Sequence, residues 1–302
     1  MKEWLGFVIA WLLLKSLGVL PRSLAQRIAA VILRILLAML PKLRRIAEFN
    51  LRLAFPEWSD AQREGAIRNM TRYLGWQAVE FARFPRFKRE NIEQIIEIEG
   101  HENFLAAQKR AKGVLILTGH IGAWELSSFA HAIYGYPMHY LARPLDNTRL
   151  DEFVSRYRGL SGNQPICKNE SARVVLKSLN NAGIVGILAD QNTLPEEGVF
   201  VDFFGQAACT TTGIARLALH TGAAVVPGYA YWDAAAQKYK LRFDPAVEIV
   251  ETGDSERDIF ENTQRFAKIT EDIIRKFPDQ WVWVHARWKT RPKGEPPLYD
   301  FL

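Results

Sequence analysis

Residues 113–126 read GVLILTGHIGAWEL. The stretch VLILT is apolar at all but its last position, so it cannot present one wet face and one dry one, and a strand of that kind must be covered on both sides. Residues 184–190, IVGILAD, repeat the pattern. Further β-type runs at 138–142, 223–232, 239–244 and 281–285 alternate with helical periodicities at 121–134, 147–160, 172–181, 212–221 and 257–277. That alternation predicts an α/β fold, a mostly parallel or mixed central sheet flanked by helices. Residues 46–110 look largely helical, with apolar positions three and four apart. No internal repeat and no Pro/Gly/Ser-rich linker interrupts the body.

Open α/β sheets gather ligands where strands end and helices begin. His120 falls just past such a strand end, Asp190 falls at another, and Glu125 lies five residues beyond His120. Five residues of continuous helix turn the chain through about 500°, leaving two side chains roughly 140° apart. His120 and Glu125 therefore meet only if the histidine sits in the turn before the helix. Gly119 and Gly122 flank it and permit such a bend. An imidazole held by a carboxylate is a general base for removing a proton from a hydroxyl. The competing reading is a histidine bonded to backbone beside a solvated Glu125. His120 is the one histidine of six with an acid five places on.

The formal charge is +6, and residues 1–50 carry eight basic groups against two acidic, leaving the remainder balanced. A basic excess confined to an apolar N-terminus, with no reading motif on the body, argues against nucleic-acid binding. Residues 4–14, WLGFVIAWLLL, hold no charge. The run extends to Leu20 only across Lys15 and Ser16, the lower limit for a membrane span. Residues 24–40 form a second apolar helix with Arg27 and Arg34 on one face, suited to lie in the interface plane. We expect residues 1–45 to be a helical membrane anchor and 46–302 the α/β domain, its body on the cytoplasmic side by the positive-inside rule. Ser23-Leu24-Ala25 faintly resembles a leader cleavage site, but Pro21 and Arg22 before it fit poorly. Cys167 and Cys209 form no metal or redox motif, which leaves reduced thiols as the default.

GHIGAWEL resembles the H-x-x-x-x-[DE] block of the glycerolipid-type acyltransferases. The surrounding sequence is similar to their lipid A biosynthesis branch, the late lauroyl/myristoyl acyltransferases. The resemblance runs through NLRLAFPE (50–57), ENIEQIIEIEG (90–100), LARPLDN (141–147), ILADQN (187–192), FFGQ (203–206), TTTGIARLA (210–218), VVPGY (225–229) and PDQWVWVHARWK (278–289). Ala123 stands where relatives often carry Asn. The resemblance implies transfer of a fatty acyl chain from acyl carrier protein to a hydroxyl of a sugar-based, anionic lipid at the cell inner membrane. His120 would deprotonate that hydroxyl and Glu125 would orient the imidazole, with no covalent intermediate, no metal and no cofactor beyond the thioester donor. The sequence lacks G-x-S-x-G, its nearest approach being GLSGN at 159–163.

By the same resemblance Arg143 would hold an anionic group of the glycolipid, a role that suits a guanidinium fork. Asp190 and Gln191 match a recurrent D-Q and would orient polar groups, or else close the loop. Arg216 would meet an anion at a helix start, or form an ion pair within the fold. Phe203 and Phe204, with Phe200, would line an acyl groove, or build a satellite core. Arg287 in the terminal HARWK would meet acidic carrier protein or headgroups, or belong to a solvated tail. Two rival functions stay open: an acyltransferase that uses acyl-CoA on another glycolipid or lysolipid, and a non-catalytic lipid-binding membrane protein whose His120 is structural.

Overall fold

The computed structural model describes residues 2–141, 144–166 and 171–301. Four helices come first: α1 (Lys2–Val19), α2 (Arg22–Met39), α3 (Pro41–Ala54) and α4 (Asp60–Ala82). Then strands and helices alternate: β1 (Ile96–Glu99), α5 (His101–Gln108), β2 (Val114–Thr118), α6 (Trp124–Ile133), β3 (His139–Leu141), α7 (Thr148–Gly159), β4 (Gln164–Ile166), α8 (Ser171–Asn180) and β5 (Ile184–Leu188). A hairpin of β6 (Gly198–Phe203) and β7 (Gln206–Thr211) precedes α9 (Gly213–Thr221), β8 (Ala224–Asp233), β9 (Lys238–Phe243) and α10 (Ser255–Lys276).

Among the described residues the main sheet has seven strands in the order β1-β9-β8-β2-β5-β3-β4. Only β8 and β9 run antiparallel; β2 pairs in parallel with β5 and β8 on its two sides. The doubly apolar reading of β2 holds residue by residue. Val114 and Ile116 enter a core with Phe104, Leu126 and Phe129, which lie on α5 and α6. Leu115 and Leu117 enter another with Val175, Leu179, Ile214 and Ala218, from α8 and α9. The fold class is therefore α/β with a mixed, mostly parallel sheet covered on both faces.

The run at 281–285 was expected to be a strand, because W-V-W-V alternates. Trp281 makes only an isolated bridge to Ile121, and the segment continues as turns. Its carbonyls are met by a side chain: Asn50 of α3 donates to Trp283 O at 2.7 Å and His285 O at 2.8 Å, while Tyr299 Oη donates to Asn50 Oδ1 at 2.7 Å. Trp281, Trp283 and Trp288 then bury themselves in one aromatic core with Phe203, Phe204 and Phe55.

No single described helix is long and apolar enough to cross a membrane. The pair α2 and α3 passes by composition only as a span bent by 95°. The bend falls at Leu40, where Pro41 opens α3 and supplies no N–H to continue the ladder. Both N-terminal helices pack on the body. A Cβ on Gly75 of α4 would stand 2.7 Å from Ala30 N of α2, so glycine permits that contact. At the start of α2, the buried Glu80 of α4 accepts from Arg22 at 2.8 Å and from Gln26 at 2.9 Å. Residue 45 lies inside α3. The outer faces of α1 and α2 leave Trp4, Leu5, Ile9, Leu12, Leu24, Ile28, Val31 and Ile35 exposed.

Candidate active site

Strand register builds the centre. Thr118 of β2 pairs with Leu188 of β5, so two residues further along each strand His120 and Asp190 stand side by side. The His120 amide donates to Asp190 Oδ2 at 2.7 Å, and Nδ1 of the ring lies 2.9 Å from Oδ1. Because the carboxylate is an acceptor, Nδ1 carries the proton and Nε2 keeps its lone pair. Asp190 is buried, and its Oδ2 also accepts from Trp281 Nε1 at 2.7 Å.

Two glycines make this approach possible. A Cβ on Gly119 would fall 2.9 Å from Asp190 Cγ. Gly122 has φ +55°, and a Cβ there would come within 2.0 Å of Ala230 O. We predict that Gly119→Ala displaces the Asp190 carboxylate from the ring and lowers acyl transfer by about tenfold or more, since an ångström of misplacement can cost up to about a hundredfold. Rates with saturating donor check this; a wild-type rate would show that the contact is dispensable.

Charge and solvation pull in opposite directions here. Burial alone would depress the His120 pKa, but the Asp190 charge and hydrogen bond outweigh it and hold the imidazole above its ordinary 6.5. Burial would raise Asp190, yet its bonds to His120 and Trp281 hold it down at about 2. A carboxylate so placed can fix one tautomer and stabilise an imidazolium as it forms.

Glu125 does not hold the imidazole, contrary to expectation. It rides the first turn of α6, and Arg158 of α7 takes both its oxygens: Nε donates to Oε2 at 2.9 Å and Nη2 to Oε1. Such a fork engages both carboxylate oxygens. Asp190 occupies the place beside the ring that Glu125 was given. Glu125 still lines the cavity with His120, and so does Arg158. Gln191 is there too, its amide nitrogen 3.3 Å from Nδ1 and 3.4 Å from Nε2 of His120.

The cavity holds about 320 Å³ and runs from these polar groups down one face of the sheet. Ile116 and Thr118 on β2 and Gly186 and Leu188 on β5 share that face, two residues apart, with Met138, Tyr140 and Leu145 on its walls. Its lining joins His120, Glu125, Arg158 and Gln191 with Ile116, Met138, Leu145 and Leu188, a mixture of charged and apolar groups that suits an amphiphile.

Several expected residues lie elsewhere. Phe203 and Phe204 do not line a groove: both are buried in the aromatic core beneath the terminal tryptophans. Phe200 sits half-buried on the same hairpin, facing Cys209. Arg287 is buried as well, donating to Cys209 O at 2.8 Å and to Thr210 Oγ1, with its guanidinium over the Phe203 ring. It fastens the chain end to β7 and is closed to carrier protein or headgroups. Arg216 is exposed on α9, its Nε donating to Thr212 Oγ1 at 3.0 Å, and it is not among the cavity's residues. Arg143 and Cys167 lie outside the described residues. Arg158 and Trp281 were missed, because no sequence spacing ties either to His120.

The family model for bacterial lipid A biosynthesis acyltransferases matches residues 1–290. The lipid A biosynthesis palmitoleoyltransferase of Escherichia coli K12 is 28% identical over 297 residues, 98% of this chain and 94% of that one. The lauroyltransferase of the same organism is 26% identical with the same coverage, and its myristoyltransferase is 25% identical over 256 residues, 85% of this chain and 78% of that one. With the match spanning nearly the whole sequence, this chain belongs to the bacterial lipid A biosynthesis acyltransferase family and is an acyltransferase.

Proposed function

We propose that this acyltransferase moves a fatty acyl chain from an acyl thioester, carried by acyl carrier protein, to a hydroxyl of a lipid A precursor at the cytoplasmic face of the inner membrane. The observation that carries the reading is an imidazole locked through Nδ1 by buried Asp190 in the wall of a cavity lined by both charged and apolar side chains. The acceptor hydroxyl would approach Nε2 and give up its proton there. Its oxygen then attacks the thioester carbonyl, the C–O bond forms, and collapse breaks the C–S bond. The imidazolium returns the proton to the departing thiolate. No covalent enzyme intermediate is required.

Arg158, fixed by Glu125, places a cation in the cavity wall. Glu125 would thus act through the arginine that it orients. The acyl chain would run along Ile116, Gly186 and Met138, where a Cβ on Gly186 would lie 3.0 Å from Met138 Sδ. Gly186→Leu should therefore shorten the longest accepted chain by about two carbons, each lost methylene forfeiting about 0.8 kcal/mol of burial. Product mass spectrometry with a mixture of donor lengths reads this directly, and an unchanged product distribution would place the chain elsewhere.

The family and the names of its relatives support a lipid A acceptor, the carrier-protein donor rests on the sequence resemblance, and the apolar faces of α1 and α2 support placement at a membrane. The test is mass spectrometry of products from purified enzyme, lipid A precursor, and acyl carrier protein and acyl-CoA donors supplied side by side. The reading expects an ester on the precursor, formed from the carrier donor. Equal use of acyl-CoA would remove the carrier specificity. No product with any donor would return the chain to a lipid-binding role.

A further inference from the structure

A second cluster of cations lies outside the catalytic cavity, in the groove where α2 crosses α4. Ala30, Val31 and Arg34 of α2 face Arg68, Asn69, Thr71 and Arg72 of α4 around a space of about 230 Å³. Arg68 and Arg72 stand one turn apart on the same helix, a like-charge spacing that costs stability when no acid intervenes. None intervenes here. Glu64, one turn before Arg68, is taken by Arg44 at 2.7 Å. Arg72 touches only aromatic groups, its guanidinium 4.9 Å from the Tyr73 ring and 5.5 Å from that of Trp76, with a 3.3 Å hydrogen bond to Tyr73 Oη. Asp279, on which the Arg72 charge acts, accepts from Asn69 at 3.1 Å and offsets at most one of three charges. All three arginines are exposed.

Beside this groove runs the exposed apolar row of α2, Leu24, Ile28, Val31 and Ile35. Val31 belongs to both, so the cationic cleft opens onto the greasy stripe. An acidic protein surface would satisfy the arginines but leave that row against polar groups. A bilayer lipid with an anionic head satisfies both at once, since fatty tails take the stripe and phosphate takes the fork-shaped donors.

We propose that the α2–α4 groove is a headgroup site for an anionic bilayer phospholipid, its phosphate among Arg34, Arg68 and Arg72 and its tails along Leu24, Ile28, Val31 and Ile35. The site rests on the membrane placement above but not on the acyl-transfer chemistry. It docks the enzyme with α2 in the interface plane and sets its orientation on an anionic leaflet.

The test is flotation of the full chain with vesicles of phosphatidylcholine alone or with about 30% phosphatidylglycerol, conditions in which each basic residue near the surface contributes about fivefold to partition. Wild type should bind the anionic vesicles more tightly. Arg68→Gln/Arg72→Gln should lose about 25-fold on anionic vesicles by the same arithmetic, and little on neutral ones. Lys109→Gln/Arg110→Gln removes equal charge at the end of α5 and should lose much less. Arg34→Gln gives an independent reading from the other helix, and unchanged far-UV circular dichroism guards against misfolding. Equal losses in the two double variants, or indifference of wild type to phosphatidylglycerol, would overturn the site while leaving membrane binding intact. So would a raised KM for acyl carrier protein with unaltered flotation, which would make the groove a protein-docking surface. Failure of wild type to bind either vesicle would sink the membrane placement itself.

Discussion

His120→Ala should fold normally and lose acyl transfer by about 10²- to 10⁴-fold, the usual worth of a general base. The fold is expected to survive because the ring sits at a cavity, partly exposed, and not in any of the cores. What disappears is the only described imidazole with its Nδ1 tied to a carboxylate at the cavity. Thioester binding should be nearly unchanged, so the loss falls on kcat more than on KM for the donor. Steady-state rates with a purified lipid A precursor check both quantities. A rate near wild type would leave the site without its base.

Trp281→Ala carries the largest stability penalty we expect, about 3–5 kcal/mol, as for other fully buried large aromatics. Its indole packs edge-on against Trp283 at 4.6 Å between centroids and against Phe203 at 6.0 Å, and its N–H is spent on Asp190. Trp281→Phe separates these effects. It keeps most of the volume but removes a hydrogen bond to a charged acceptor, worth about 1.5–3 kcal/mol. Denaturant unfolding should rank the variants wild type, Phe, Ala. An Ala variant within about 1 kcal/mol of wild type would mean that the aromatic block tolerates the cavity, against the usual cost of large-to-small core changes.

Much of the frame is legible in the chain because it rests on local patterns. The doubly apolar β2 and β5 call for helices on both faces, and β8, β9, α7, α9 and α10 follow their hydrophobic periods closely. What stays hidden depends on register or on distant packing. Asp190 stands seventy residues from His120, and only the parallel pairing of β2 with β5 brings them together. The spacing of Glu125, by contrast, suggested a direct pairing with the imidazole, whereas Arg158 of α7 takes both its oxygens.

The hairpin of β6 and β7 went unseen for another reason. Its turn uses Phe204 at φ +57° and Gly205 at φ +74°, with no Asn-Gly to signal it. The aromatic residues beside that turn then read as a groove, when they are the floor on which three tryptophans lie. Two of them, Trp281 and Trp283, alternate like a strand at 281–285, but Asn50 satisfies the carbonyls that a neighbouring strand would have bonded. Local alternation cannot reveal a partner supplied by a side chain 233 residues away.

The central claim is that Asp190, and not Glu125, is the carboxylate that tunes the His120 base. The pH dependence of kcat/KM for wild type, Asp190→Asn and Glu125→Gln tests it most directly. A base must be neutral to act, so activity falls as pH drops through the imidazole pKa, which in wild type lies above 6.5. In Asp190→Asn the burial that depresses the pKa remains and the opposing charge is gone, so the acid limb should move below that of wild type while the plateau drops. Glu125→Gln should shift the limb far less, since Glu125 is the weakest of the groups acting on the ring. A limb that stays put in Asp190→Asn and moves in Glu125→Gln would contradict the account.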